Sequence, residues 1–184
     1  MPSINFPSEF KDIIIKYNNR DFKNALKLLD KIPENKNFKI FKLQLYASIY
    51  FLSQEWENSL IYHNKLLSHE DGSFEVYNNL AVTLFQLGKV NIAIKYFIKC
   101  IEKNNNIVSP YQNLGMCYVH IGEYQNAIEN FVKALTINKR NKNCNILLID
   151  ILNYVVPNDE TDNYILQLNK QILDFFYNKK ITDI

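Results

Sequence analysis

Three histidines and three cysteines are the side chains of this 184-residue chain best suited to nucleophilic or metal chemistry. His63, His69 and His120 could serve as bases or ligands, and Cys100, Cys117 and Cys144 as nucleophiles or zinc thiolates. Their spacing argues against both uses. No two histidines have a metal-ligand separation, and no cysteines form a CxxC pair. A GxGxxG or P-loop, an HExxH helix and a GxSxG elbow are also absent from the sequence. Asp71 and the pair Asp159-Glu160 are acidic but fall where turns between helices are expected. The chain therefore reads as non-catalytic, with no cofactor and no metal.

Amide side chains are the other group able to recognise a ligand. Asn and Gln both donate to and accept from a peptide backbone. Asn is abundant here, as are Lys, Ile, Tyr and Phe, while Arg20 and Arg140 are the only arginines. The abundant residues share A/T-rich codons, so the position of an Asn tells more than its presence.

Position is set by a repeat. Tyr77-Asn78-Asn79-Leu80-Ala81 returns 34 residues later as Tyr111-Gln112-Asn113-Leu114-Gly115. The same offset carries Leu84 to Tyr118, Gly88 to Gly122, Ala93 to Ala127, Phe97 to Phe131 and Cys100 to Ala134. A period of roughly 34 residues predicts stacked helix–turn–helix units. In the unit at about 74–107, helix A is expected from Phe74 to Gln86 and helix B from Val90 to Lys103, with Gly88 in the turn. Tyr77, Leu80, Ala81 and Leu84 form its buried stripe, and Ala81 and Ala93 are small because paired helices approach closely. In the unit at about 108–141, Ser109 is expected to cap helix A, with Pro110 at the first helical position and Gln112 completing a capping box. Tyr118, Tyr124, Ala127, Phe131 and Ala134 continue the structural positions.

A looser unit spans about 40–73. Leu43, Tyr46, Ala47 and Tyr50 form its first stripe, and Trp56, Ser59 and Leu66 its second. Gln54 takes the Gly position, and His63, at the position of Phe97 and Phe131, reads as a core-edge histidine. A unit at about 7–39 aligns if one residue is deleted before its turn. Phe10, Ile13, Ile14 and Tyr17 face one way, then Phe22, Ala25, Leu29 and Ile32 until Pro33 ends the helix. Capping helices are expected over about 142–179: one on Ile146, Leu148, Ile149 and Leu152, then, after Pro157, one on Ile165, Leu168, Ile172 and Phe175.

Composition fits a folded domain: 47% of residues are apolar and 22% charged. With 21 basic and 19 acidic residues the net charge is +2, which supplies neither a basic stripe for nucleic acid nor a polybasic segment for a membrane. An odd number of unpaired cysteines points to a reducing compartment. Met1 to Pro7 lacks a basic segment followed by an apolar run, and no apolar run approaches the roughly 18 residues of a membrane span. The expected location is cytoplasmic.

These positions resemble those of the tetratricopeptide repeat family, most specifically over 74–141. The resemblance implies an all-α, right-handed superhelical solenoid of antiparallel helix pairs: a single domain over 1–184, with about four units and a degenerate C-terminal capping unit. It also implies a concave groove lined by helix A residues not used in packing. Here those are Gln44 and Ser48 with Phe41, Leu45 and Phe51; Asn78, Asn79 and Val82 with Glu75, Phe85 and Gln86; and Gln112, Asn113, Met116 and His120 with Val119. Asn79 and Asn113 are equivalent positions, similar to the Asn ladders that hold extended peptides in the repeat arrays of protein O-linked N-acetylglucosamine transferases. The carboxylate clamp of Hsp70/Hsp90 cochaperones is not matched, because its flanking positions hold Gln44, Ser48, Ser109 and Asn113, with no cation.

The expected function is a protein-interaction module that binds a peptide segment or helix in the groove. An alternative is a substrate-recruiting region of, or partner to, a glycosyltransferase or sulfotransferase, for which a coding sequence continuing past Ile184 is the discriminating observation. A third reading is a scaffold that self-associates through the aromatic C-terminal helix at Phe175-Phe176-Tyr177.

Overall fold

The computed structural model describes residues 8–34, 36–69 and 72–154, with side chains described to residue 151. Asp71, the capping helix expected after Pro157, and the scaffold surface at Phe175-Phe176-Tyr177 lie outside the described residues. Within them the chain is helical, without strands: after a 3-10 turn at Ser8–Phe10 come α1 (Lys11–Asn18), α2 (Phe22–Lys31), α3 (Lys39–Leu52), α4 (Trp56–Leu67), α5 (Phe74–Gln86), α6 (Val90–Lys103), α7 (Val108–His120), α8 (Tyr124–Ile137) and α9 (Lys142–Tyr154). Neighbours in sequence are neighbours in space, most extensively in the pairs α3–α4, α5–α6 and α7–α8. The first helix of one pair also touches the first of the next, α5 on α7, whereas α6 and α8 make no comparable contact. The stack therefore curves with its first helices inside, a superhelical solenoid.

The four turns within pairs are one structure repeated at the 34-residue interval. The amides of Asp21, Glu55, Lys89 and Glu123 donate to the carbonyls of Lys16, Tyr50, Leu84 and Tyr118 at 2.9, 2.9, 2.8 and 2.9 Å. This six-to-one closure of a helix end requires a left-handed residue just before the donor. Arg20, Gln54, Gly88 and Gly122 supply it, with φ of 57°, 61°, 71° and 79°. Only the last two lack the Cβ that makes such a φ costly. The first unit needs no deletion at this turn, because the interval holds back to the carbonyl of Ile15, which accepts from Asn19 as Ile49 does from Ser53.

Three of the four second helices then start on an acid, and α6 starts on Lys89 with no side-chain cap. Asn24, Asn58 and Asn126 donate side-chain N–H to Asp21, Glu55 and Glu123 at 3.0, 3.1 and 2.6 Å. Asn24 and, more weakly, Lys16 at 3.2 Å hold the Asp21 carboxyl below its ordinary range. Asn104 and Asn138, also 34 residues apart, close the turns between pairs by accepting the amides of Asn106 and Arg140 at 3.0 Å each. Much of the abundant Asn is thus turn and cap chemistry.

Small residues on the first helix face large ones on the second. A Cβ added to Gly115 would lie 2.7 Å from the Phe131 ring. Ala81, Ala93, Phe97, Ala127 and Phe131 are all fully buried.

Three local expectations are corrected. Ser109 does not cap α7: the helix begins at Val108, with Ile107 as an N-cap that offers no side-chain acceptor, and Gln112 bonds elsewhere. Tyr124 is 43% exposed rather than packed. On α9 the inner face is Cys144, Leu148 and Ile151, while Ile146 and Ile149 are exposed. Ile149 stands at the position of Ala81 and Gly115, which α6 and α8 cover in their own pairs.

The turns give a stability test. Gly88→Ala is expected to cost about 1 kcal/mol, whereas Gln54→Gly, which relieves the same strain, is expected to be neutral or to gain up to about 0.5 kcal/mol. Chemical denaturation of both variants checks the opposite signs.

Candidate functional site

The surface expected to recognise a ligand is distributed over α3, α5 and α7. Gln44 and His120 are exposed, while Ser48, Asn78, Asn79, Val82, Gln112, Asn113 and Met116 are half-buried. Val82, Asn113 and Met116 come together with Phe85, Gln86 and Phe97 around a shallow pocket of about 60 Å³. His120 meets the edge of Phe85, ring centres 5.8 Å apart. Gln44 and Ser48 on α3 do not line this pocket. Leu45, at the position of Asn79 and Asn113, is buried instead in the core that joins α1, α2 and α3.

Two of the amides are already engaged. Gln112 Oε1 accepts from Asn141 Nδ2 at 3.1 Å and from Cys144 Sγ at 3.6 Å, tying α7 to the start of α9. Asn141 Oδ1 in turn caps α9 by accepting the Cys144 amide at 3.0 Å. One repeat earlier, Asn78 stands where Gln112 does, but Ile107 and Pro110 stand where Asn141 and Cys144 do. Neither can donate as those residues do, and Asn78 Oδ1 is buried with no hydrogen-bond partner. Its Nδ2 donates to Asn79 Oδ1 at 3.3 Å. Asn113, Val82 and Met116 are thus the pocket residues most able to meet a ligand.

The reactive-looking side chains are packing. Cys100 and Cys117 are fully buried, and burial pushes both thiols up to about 12. Cys144 is pushed up to about 11 for the same reason. None is therefore a thiolate at neutral pH. His63, His69 and His120 stand on α4, just after it, and at the end of α7. Among the described residues no group of His, Cys, Asp and Glu could hold a metal ion. No helix there is long and apolar enough to cross a membrane.

His63 is not at the core's edge but inside it, 2% exposed. Its Nδ1 lies 2.9 Å from the Ser59 carbonyl and 3.2 Å from Ser59 Oγ. Ser59 Oγ lies 3.0 Å from Thr83 Oγ1, which donates to the Asn79 carbonyl at 2.7 Å. A neutral ring protonated at Nδ1 satisfies every one of these contacts. The other units place Ala93 and Ala127, Phe97 and Phe131 at the Ser59 and His63 positions. One unit thus replaces an apolar pair with a self-satisfying polar one. The signal was readable: both substitutions fall four residues apart in the same helix.

Helix pairs stacked at a fixed interval, with small residues under aromatic ones and a curved inner face, define a helical-repeat solenoid. Residues 72–140 match the family model described as Tetratricopeptide repeat. No curated protein matches it in sequence. Its backbone is similar to a crystal structure of MamA at 19% identity and TM-score 0.75, over 96% of this chain and 99% of that one. It is also similar to YrrB, titled a TPR protein with an unusual peptide-binding site, at 16% identity and TM-score 0.70, over 94% and 90% of the two chains. A third likeness is the first TPR of Spaghetti (RPAP3) bound to HSP90 peptide SRMEEVD, at 16% identity and TM-score 0.60, over 64% and 93%.

Burial lowers the pKa of His63 from its ordinary 6.5. The unfolded chain therefore takes up the proton first, and this residue's share of stability is lost as pH falls through 6.5 toward the folded value. Thermal melts at about pH 7.5 and about pH 5.5 are expected to show a smaller acid shift in His63→Phe than in the wild type. Equal shifts would contradict the buried neutral ring.

Proposed function

We propose that this chain is a non-catalytic protein-interaction module whose ligand is a peptide segment or helix laid across α3, α5 and α7. The observation that carries the reading is the pocket between α5 and α7, lined by Asn113 and Gln86 beside Val82, Phe85, Phe97 and Met116, with no charged side chain among them. Amides can pair with a ligand backbone while the apolar groups take side chains. Fold likeness to proteins whose titles name peptide binding supports the same reading. An acidic tail such as SRMEEVD is not the expected occupant of this surface, because no cation stands among Gln44, Ser48, Ser109 and Asn113.

Affinity capture from the native cell, followed by mass spectrometry, tests the proposal. The Asn79→Ala/Asn113→Ala double variant is expected to lose at least one partner that the wild type retains, with an affinity loss on the order of tenfold or more for two amide contacts. Unchanged affinity for every partner would argue against this surface.

A further inference from the structure

Proline shortens α2, and the space its last turn would fill stays open. α6 and α8 run 14 residues each, whereas α2, which starts in register with them, runs 10. Pro33 forces Ile32 into an extended conformation, with φ −67° and ψ 121°. The connection to α3 then takes residues 32–38, against 104–107 and 138–141 at the later junctions. Between the end of α2, the start of α3 and the end of α4 lies a cleft of about 410 Å³. Its lining includes Lys39 and Lys42 from α3, Lys65 and Tyr62 from α4, and His69 just beyond α4.

The walls are built. Lys42 Nζ donates to the Ile32 carbonyl at 2.7 Å, holding the connection against α3. Tyr46 donates to Asp30, engaging that carboxylate from α2. Tyr62 stacks on Tyr46 with ring centres 4.6 Å apart, and Lys65 Nζ sits 4.6 Å from the Tyr62 centroid. Glu34 is the one acid among the lining residues, against three lysines. The positive end of α3 adds to them: Phe38, its N-cap, lines the cleft and provides no side-chain acceptor. From residue 30 to residue 42 the sequence carries Lys31, Lys36, Lys39 and Lys42 against Asp30 and Glu34.

We propose that this cleft is a second binding site, separate from the α5–α7 pocket, for an acidic peptide segment. Carboxylates would lie against Lys39, Lys42 and Lys65, with the carbon skeleton over Tyr62 and Phe38. Two features favour a peptide over a free tetrahedral anion. The cleft, at about 410 Å³, is far larger than one phosphate, and its cations are spread over two helices, Lys39 and Lys42 on α3 and Lys65 on α4. The site does not depend on the α5–α7 reading, and it places cations where that surface has none.

The test is an amide-resolved NMR titration of the full chain with acetylated tetraglutamate, alongside tetraglutamine and inorganic phosphate. Tetraglutamate is expected to shift amides at residues 38–42 and 62–69, and tetraglutamine to leave them in place. Lys39→Glu/Lys65→Glu is expected to weaken binding by about tenfold or more, and Lys39→Gln/Lys65→Gln by less, with added salt weakening the wild type. Retained amide dispersion in the neutralised variant separates loss of binding from loss of fold. Asn79→Ala/Asn113→Ala is expected to bind tetraglutamate as the wild type does. The proposal is overturned if tetraglutamine shifts the same amides, if the charge-reversed protein binds equally well, or if the shifts map elsewhere. Phosphate reproducing the shifts at equal concentration would also overturn it, marking a small-anion site.

Discussion

Everything in this fold depends on how closely two helices of a pair can approach. Gly115 leaves no room for a Cβ beneath Phe131, and Ala81 and Ala93 sit fully buried with Phe97 in the neighbouring core. That contact sets the spacing of each pair, and the left-handed residue at 20, 54, 88 and 122 sets the return of its second helix. Since neither pair nor turn can bury its outer faces alone, stability comes from stacking. The inner faces of α5 and α7 keep Asn79, Val82, Asn113 and Met116 half-buried rather than packed away.

The 34-residue repeat makes most of the architecture readable from the sequence. The bounds of α5 and α6 follow from the stripe on Tyr77, Leu80, Ala81 and Leu84, and from Gly88. Where the structure departs from the sequence pattern, a local rule loses to a tertiary one. Ser109 and Gln112 spell a capping box, yet α7 starts before Ser109, and Gln112 serves the junction with α9. Gln54 and Arg20 take a backbone conformation that their side chains disfavour, because the hydrogen bonds of the turn demand it. His63 reads from the sequence as a core-edge histidine, but Ser59 gives its ring the partners that burial requires, and Thr83 in turn partners the Ser59 hydroxyl.

The candidate surfaces are less legible, for a physical reason. Periodicity shows which positions face inward on the curve, but not which amides are consumed by neighbours. Gln112 and Asn78 occupy the same repeat position, and only the donors available at 141 and 144, against 107 and 110, separate a tied amide from one left with an unpaired oxygen. The α2–α3 cleft carries a weaker signal still: Pro33 predicts the helix end, but a cavity appears only when that end is set against two other helices. The pocket between α5 and α7 thus has no charged lining residue, whereas the α2–α3 cleft is lined by three lysines and one acid.

Site-specific photo-crosslinking in the native cell tests the central claim most directly. A crosslinker at Val82 on the inner face is compared with one at Lys95, exposed on α6. If the inner faces are the ligand surface, Val82 captures a discrete partner that Lys95 does not, and that adduct disappears in the Asn79→Ala/Asn113→Ala background. The same partner captured equally from Lys95, or from Lys95 alone, would contradict it.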